Sequence, residues 1–281
     1  MTSHYVVGGG DTRLHVVETG NPQGQPILFI HGFSQCGLCW SRQLHSDLAQ
    51  AHRLVAMDLR GHGLSDKPRD AYADSKLWAD DVHAVLQSLR LEQAILVGWS
   101  YGPLVILDYV RHYGQDAIVG LNFVGGISKL GSEEALSVLT PEFLAHVPGM
   151  LSADSDESVR ALDTLIDLAM ASDLSPQEHY LMLGWNVSVP PYVRQALLAR
   201  ALDNDDLLPT LRKPVLLTHS SAETVVKPVA VEQHLAAIRD AQVHWTTDAG
   251  HAPFWDLADA YNQRLREFAA HARSVASLQS A

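Results

Sequence analysis

The chain has 281 residues, 47% of them hydrophobic, enough to bury the core of one large α/β domain or of a domain carrying an insertion. Its net charge of −12 argues against nucleic acid or an anionic membrane as partner, since both repel an acidic surface. No apolar run reaches the roughly 20 residues of a membrane span, and Met1-Thr2-Ser3-His4-Tyr5 lacks the basic and apolar regions of a signal peptide, so the expected location is the cytoplasm.

In chain order, Tyr5–Val7 and Leu14–Val17 read as short strands joined by a hairpin-type turn at Gly8-Gly9-Gly10-Asp11. Pro26–Ile30 is a strand without alternation, as expected where a parallel sheet buries both faces. His31-Gly32-Phe33 ends it, and a helix is expected around Trp40 to Gln50. The strand His52–Asp58 leads into a Gly-rich turn, Arg60–Asp66. Asp74 or Ser75 then caps a helix with Trp78, Val82, Val85, Leu86 and Leu89 on one face. Strand Ala94–Val97, helix Pro103–Val110 (ended near Gly114) and strand Ile118–Val124 follow.

From Ser128 to Leu208 only helices are expected, at Pro141–His146, Val159–Met170, Pro176–Trp185 and Pro191–Ala201. Alternation resumes with strand Pro214–Thr218, helix Val229–Ile238, strand Val243–Thr246 and helix Ala258–His271. The pattern predicts an α/β fold, a mostly parallel wound sheet with an inserted helical lid: a core of residues 1–127 and 209–281, and a lid over 128–208.

Between a strand and a helix stands Gly98-Trp99-Ser100-Tyr101-Gly102, a G-x-S-x-G in the strand–turn–helix setting of a nucleophile elbow. So tight a turn leaves no room for side chains two residues either side of the serine, hence Gly98 and Gly102. A serine hydroxyl needs a base, and the base an orienting group. Fifteen histidines make a lone one uninformative, but His251 in Asp248-Ala249-Gly250-His251 follows the last strand, on the sheet edge where ligands bind. In the order Ser…acid…His the acid follows strand Pro214–Thr218, where Glu223 is the loop's one carboxylate; Asp248 is the competitor. Backbone N–H groups of Tyr101 and Phe33 are the expected oxyanion donors.

His31 and His62 flank glycines in turns and read as structural. Cys36 and Cys39 form a C-x-x-C with no second pair and no thioredoxin-like unit, and read as small buried residues. No HExxH, paired-carboxylate motif or P-loop occurs. Among apolar residues of the lid, Trp185, Met182 and Phe143 are candidates to face substrate.

His31-Gly32-Phe33, Asp58-Leu59-Arg60-Gly61-His62-Gly63-Leu64-Ser65, Gly98-Trp99-Ser100-Tyr101-Gly102 and Gly250-His251, in that order, resemble the α/β-hydrolase superfamily, in particular its lid-bearing esterase and non-haem peroxidase-like group. The resemblance implies Ser100 as nucleophile, His251 as base and no metal or organic cofactor. Departures are Ser220-Ser221-Ala222-Glu223 where relatives usually read Gly-x-x-Asp, no carboxylate in Val124-Gly125-Gly126, and Ser34 where peroxyacid-forming relatives tend to have proline. Serine at position 100 excludes the aspartate-nucleophile relatives. The expected function is a serine hydrolase cleaving a small carboxylic ester through a Ser-His-Glu triad and an acyl-enzyme. Its partner is a small-molecule substrate, with a homo-oligomer left open. Alternatives are C–C bond hydrolysis, lactone opening, perhydrolysis, cofactor-free oxygen chemistry, and a ligand receptor with little turnover.

Overall fold

The computed structural model describes residues 1–279. Among them eight strands, β1 (Thr2–Val7), β2 (Arg13–Gly20), β3 (Gln25–Ile30), β4 (His52–Met57), β5 (Ala94–Trp99), β6 (Ile118–Val124), β7 (Val215–Ser220) and β8 (Ala241–Thr246), form one sheet in the order β1-β2-β4-β3-β5-β6-β7-β8. β2 pairs antiparallel with both β1 and β4, and every other neighbouring pair is parallel. The missing alternation in the central strands has the expected cause. In β3, Ile27 and Phe29 pack with Trp40 and Leu48 on one face, while Leu28 and Ile30 join Trp78 and Val82 on the other.

Helices α1 (Ser41–Leu44), α2 (Leu48–Ala51), α3 (Ser75–Ser88) and α4 (Gly102–Tyr113) precede β6, and α10 (Val229–Ala237), α11 (Pro253–Asp256) and α12 (Ala258–Gln279) follow β7. The single helix expected around Trp40 to Gln50 is instead a 3-10 turn at Gly37–Trp40 followed by the one-turn helices α1 and α2. Ser46 explains the break: its hydroxyl donates to Gln43 O at 2.7 Å and accepts from Leu48 N at 3.2 Å, closing one turn and opening the next.

Between β6 and β7 lie α5 (Glu133–Ser137), α6 (Pro141–Leu151), α7 (Ser155–Ala169), α8 (Pro176–Val187) and α9 (Pro191–Leu198). The five-residue α5 was not expected, being too short to show a periodicity. Side chains of Ser132, Thr140, Asp154 and Ser175 cap α5 to α8, each accepting from the amide three residues on. Buried Arg194 of α9 stitches these helices together. It donates to the Met150, Asn186 and Val189 carbonyls and to Ser158 Oγ, and burial among neutral acceptors pushes its pKa down to about 10. Where the chain leaves and rejoins the sheet, Leu130 bridges to Leu202 and Leu139 to Val226.

Candidate active site

At the end of β5 the chain turns so sharply that a Cβ on Gly98 would lie 2.7 Å from both Gly102 C and Pro103 N, and one on Gly102 would lie 2.7 Å from Ile30 O. Ser100 sits between them with φ +57, left-handed backbone that a side chain adopts only under constraint. The constraint comes from the neighbouring chain: Ser100 N donates to Val124 O at 2.9 Å, and Ile127 N donates to Ser100 O at 3.2 Å.

His251 follows β8 and is held by its backbone. Its N–H donates to Ala169 O of α7 at 2.8 Å, and its carbonyl accepts from Trp99 Nε1 at 2.9 Å. Its ring Nδ1 lies 2.8 Å from Glu223 Oε2, both side chains being buried. The other carboxylate oxygen of Glu223 accepts from Val225 N at 2.7 Å and Val226 N at 3.2 Å. Burial opposes ionisation of Glu223. The hydrogen bond and charge of His251, the charge of His219 and the Val225 amide outweigh it and hold the carboxyl below its ordinary range. An ionised Glu223 accepts only, so Nδ1 carries the proton and Nε2 is left as the acceptor. Asp248, the competing acid, is exposed and accepts from Thr247 Oγ1 at 3.1 Å.

Gly125 makes this pairing sterically possible. A Cβ there would stand 2.9 Å from His251 Nδ1 and 3.2 Å from Glu223 Oε2, and its φ is +50. Sequence reasoning noted only that this position lacks a carboxylate. Two glycines directly after a strand were the available signal.

Ser100 and His251 line one cavity of about 30 Å³, floored by Gly32, Phe33, Gln35 and Trp99. Its roof is Phe143 of α6, Leu165 and Ala169 of α7, and Val225 beside Glu223. No hydrogen bond joins Ser100 Oγ to the His251 ring among the described residues; such contacts are commonly long before substrate binds. The Phe33 and Tyr101 N–H groups have no protein acceptor among the described residues. Phe33 lines the cavity, while the Tyr101 side chain turns into the core, where its hydroxyl accepts from Arg200 at 3.1 Å. Of the three substrate-facing candidates, Phe143 is in the cavity wall. Met182 is buried on the inner face of α8 with Asn186, and Trp185 packs edge-on against Trp255 at 6.2 Å; neither lines the cavity. Gln35, Leu165, Ala169 and Val225 carry no motif and were missed.

The remaining motif residues build the frame. His31 accepts from Leu59 N at 3.0 Å and donates to Gly32 O at 2.8 Å. Its ring packs, tilted by 56° with centroids 4.9 Å apart, against His62, which donates to Arg60 O. Asp58 accepts from Gly37 N at 2.7 Å, Leu64 N at 2.9 Å and the His15 ring at 2.9 Å, and so fixes the loop that carries Phe33. Ser34 and Gln35 reach across to the Asn186 backbone and side chain. Cys36 and Cys39 are free and buried, and burial pushes both thiols up, away from reactive thiolates. Among the described residues, no group of three or more His, Cys, Asp or Glu could hold a metal ion, and no helix is long and apolar enough to cross a membrane.

Comparison with known proteins agrees with this frame. A solved esterase from Rhodococcus sp. superposes with a TM-score of 0.90 at 36% identity, covering 96% of this chain and 99% of that one. The pimeloyl-[acyl-carrier protein] methyl ester esterase of Vibrio vulnificus is 29% identical over 267 residues, 92% of this chain and 98% of its own length. The 2-hydroxymuconate semialdehyde hydrolase of Pseudomonas sp. is 26% identical over 277 residues, 96% of this chain and 94% of its own. A family model described as the alpha/beta hydrolase family matches residues 27–264, and with the tight turn at Ser100 and the wound sheet on which it stands, the chain belongs to that family.

Proposed function

We propose that the protein is a serine hydrolase of small carboxylic esters, with Ser100, His251 and Glu223 as its triad. Nε2 of His251 takes the hydroxyl proton as Ser100 Oγ attacks the ester carbonyl. Glu223 holds the proton on Nδ1 and stabilises the imidazolium. The tetrahedral oxyanion receives the N–H groups of Phe33 and Tyr101, which are already oriented by the loop and turn that carry them. His251 returns its proton to the leaving alcohol, giving an acyl-enzyme on Ser100. Water, deprotonated by the same Nε2, then releases the acid. Residues 128–208 act as a lid, because α6 and α7 supply the roof of the cavity.

The observation that carries this reading is the 2.8 Å contact of buried Glu223 with His251, whose side chain shares a cavity with a serine at φ +57. The esterases among the relatives favour an ester as substrate. Hydrolysis of p-nitrophenyl acetate tests it: Ser100→Ala and His251→Ala should each lose on the order of 10⁴–10⁶ in turnover with unchanged circular dichroism. Wild-type turnover in Ser100→Ala would overturn the mechanism. The 2-hydroxymuconate semialdehyde hydrolase among the relatives makes hydrolysis of a semialdehyde on the same site the second reading, which direct assay of that substrate would reveal.

A further inference from the structure

The cavity at Ser100 is small: its 30 Å³ compares with the roughly 10–15 Å³ needed to hold one water. On the far side of Phe143 lies an apolar groove of about 410 Å³, between the start of the lid and α9. Phe143 lines both spaces. The groove runs along α6, where Leu144, Val147 and Leu151 continue the face that Phe143 begins, and Leu139 and Leu198 wall its other side. Leu136, at its mouth, is 47% exposed. Gln195 is the one polar side chain in the lining, and its amide is already spent on Leu151 O at 2.7 Å.

We infer that Phe143 is a door between the catalytic cavity and an acyl-chain pocket, and that the preferred substrates are esters with an unbranched apolar acyl chain rather than acetates. This rests on the ester-hydrolase reading above. A longer acyl group must displace part of the cavity wall, and Phe143 is the wall side chain with empty apolar space behind it. The occupant is uncharged because the groove offers neither a charged side chain nor a free hydrogen-bonding one. The door's backbone stays fixed while its ring turns. Thr140 Oγ1 accepts from Phe143 N at 3.2 Å and donates to Thr224 O at 2.6 Å, and Thr140 N donates to Val225 O at 3.0 Å. The hinge of the door is thereby tied to the loop that holds Glu223.

The test is kcat/KM across p-nitrophenyl acetate, butyrate, hexanoate and octanoate, with reactive sites counted by a fluorophosphonate probe. In the wild type kcat/KM should climb from butyrate by up to roughly fourfold per methylene. Phe143→Ala should raise the octanoate-to-acetate ratio severalfold. Val147→Trp, and the milder Leu198→Phe should the first misfold, fill the groove and should lower that ratio by about tenfold or more, the worth of about two methylenes. If probe labels Ser100 and acetate is hydrolysed, but no groove variant moves the ratio, the chain pocket is refuted while the triad stands. If neither labelling nor acetate hydrolysis occurs in the wild type, the underlying reading fails instead. Loss of a dimer on sedimentation of Val147→Asp, without a change in the ratio, would put a second copy of the chain in the groove and overturn the proposal.

Discussion

Replacing Glu223 by glutamine changes one atom of the acid and, by this geometry, the tautomer of the base. Oε1 accepts from two amides, Val225 N and Val226 N, so the carbonyl oxygen of a glutamine must stay there. Its NH2 group then faces His251 Nδ1 across the 2.8 Å gap, where Glu223 now accepts. Two donors cannot share that contact, so the proton moves to Nε2, which can no longer accept from Ser100. The same isosteric exchange in a serine protease triad costs about 10⁴ in kcat, or about 5.5 kcal/mol of barrier at 1.36 kcal/mol per decade. Glu223→Gln should therefore lose on the order of 10³–10⁴ in kcat on p-nitrophenyl acetate near neutral pH, with a native circular dichroism spectrum. Glu223→Asp keeps the charge but is one methylene short and should fall between. Asp248→Asn, altering an exposed carboxylate bonded to Thr247, should stay within about twofold. A folded Glu223→Gln within about tenfold of wild type, or a collapse confined to Asp248→Asn, would remove Glu223 from the triad.

The cost of a Cβ at position 125 is both steric and conformational, since it would stand 2.9 Å from His251 Nδ1 on a backbone at φ +50. Gly125→Ala should lower turnover by about 10² or more through the displaced ring and stability by about 1–2 kcal/mol, and a fully active variant would contradict the close approach. Trp185→Ala removes packing on Trp255 and should lower the melting temperature while leaving acyl-chain preference alone; a changed preference would return Trp185 to the substrate site. Burial holds His31 and His234 to about 4 and His62 to about 3, below the roughly 6.5 of an unfolded chain, and lifts Asp81 and Asp108 to about 6. The three histidines lose stability as pH falls and outweigh the two carboxyls that gain it, so urea titrations should show a drop of about 1–2 kcal/mol from pH 6 to pH 5; a rise would contradict the balance.

What could be read from the amino acids alone follows a physical division. The strands were legible because a sheet buried on both faces demands unbroken apolar runs, and Ile27–Ile30 and Ala94–Val97 meet that demand without help from distant residues. The elbow was legible because Gly98 and Gly102 are required by local sterics. Glu223 could be placed only through topology, as the carboxylate after β7, and its partner emerges from the approach of two loops. The break between α1 and α2 depends on which way the Ser46 hydroxyl turns, a choice the helical pattern does not record. The roof of the cavity was hardest to read. Leu165, Ala169 and Phe143 look like ordinary helix-face residues, and which of them meets Ser100 is decided by how α6 and α7 are docked, through Thr140, Ala169 and the buried Arg194.

Everything proposed for the site depends on Ser100 being a nucleophile activated by His251 and Glu223. Intact-mass and peptide analysis after brief exposure to a fluorophosphonate measures that directly. One adduct per chain is expected, on Ser100, formed rapidly by the wild type, abolished in Ser100→Ala and slowed by orders of magnitude in His251→Ala and Glu223→Gln. An unlabelled Ser100 in folded wild-type protein, or labelling as fast without His251 as with it, would contradict it.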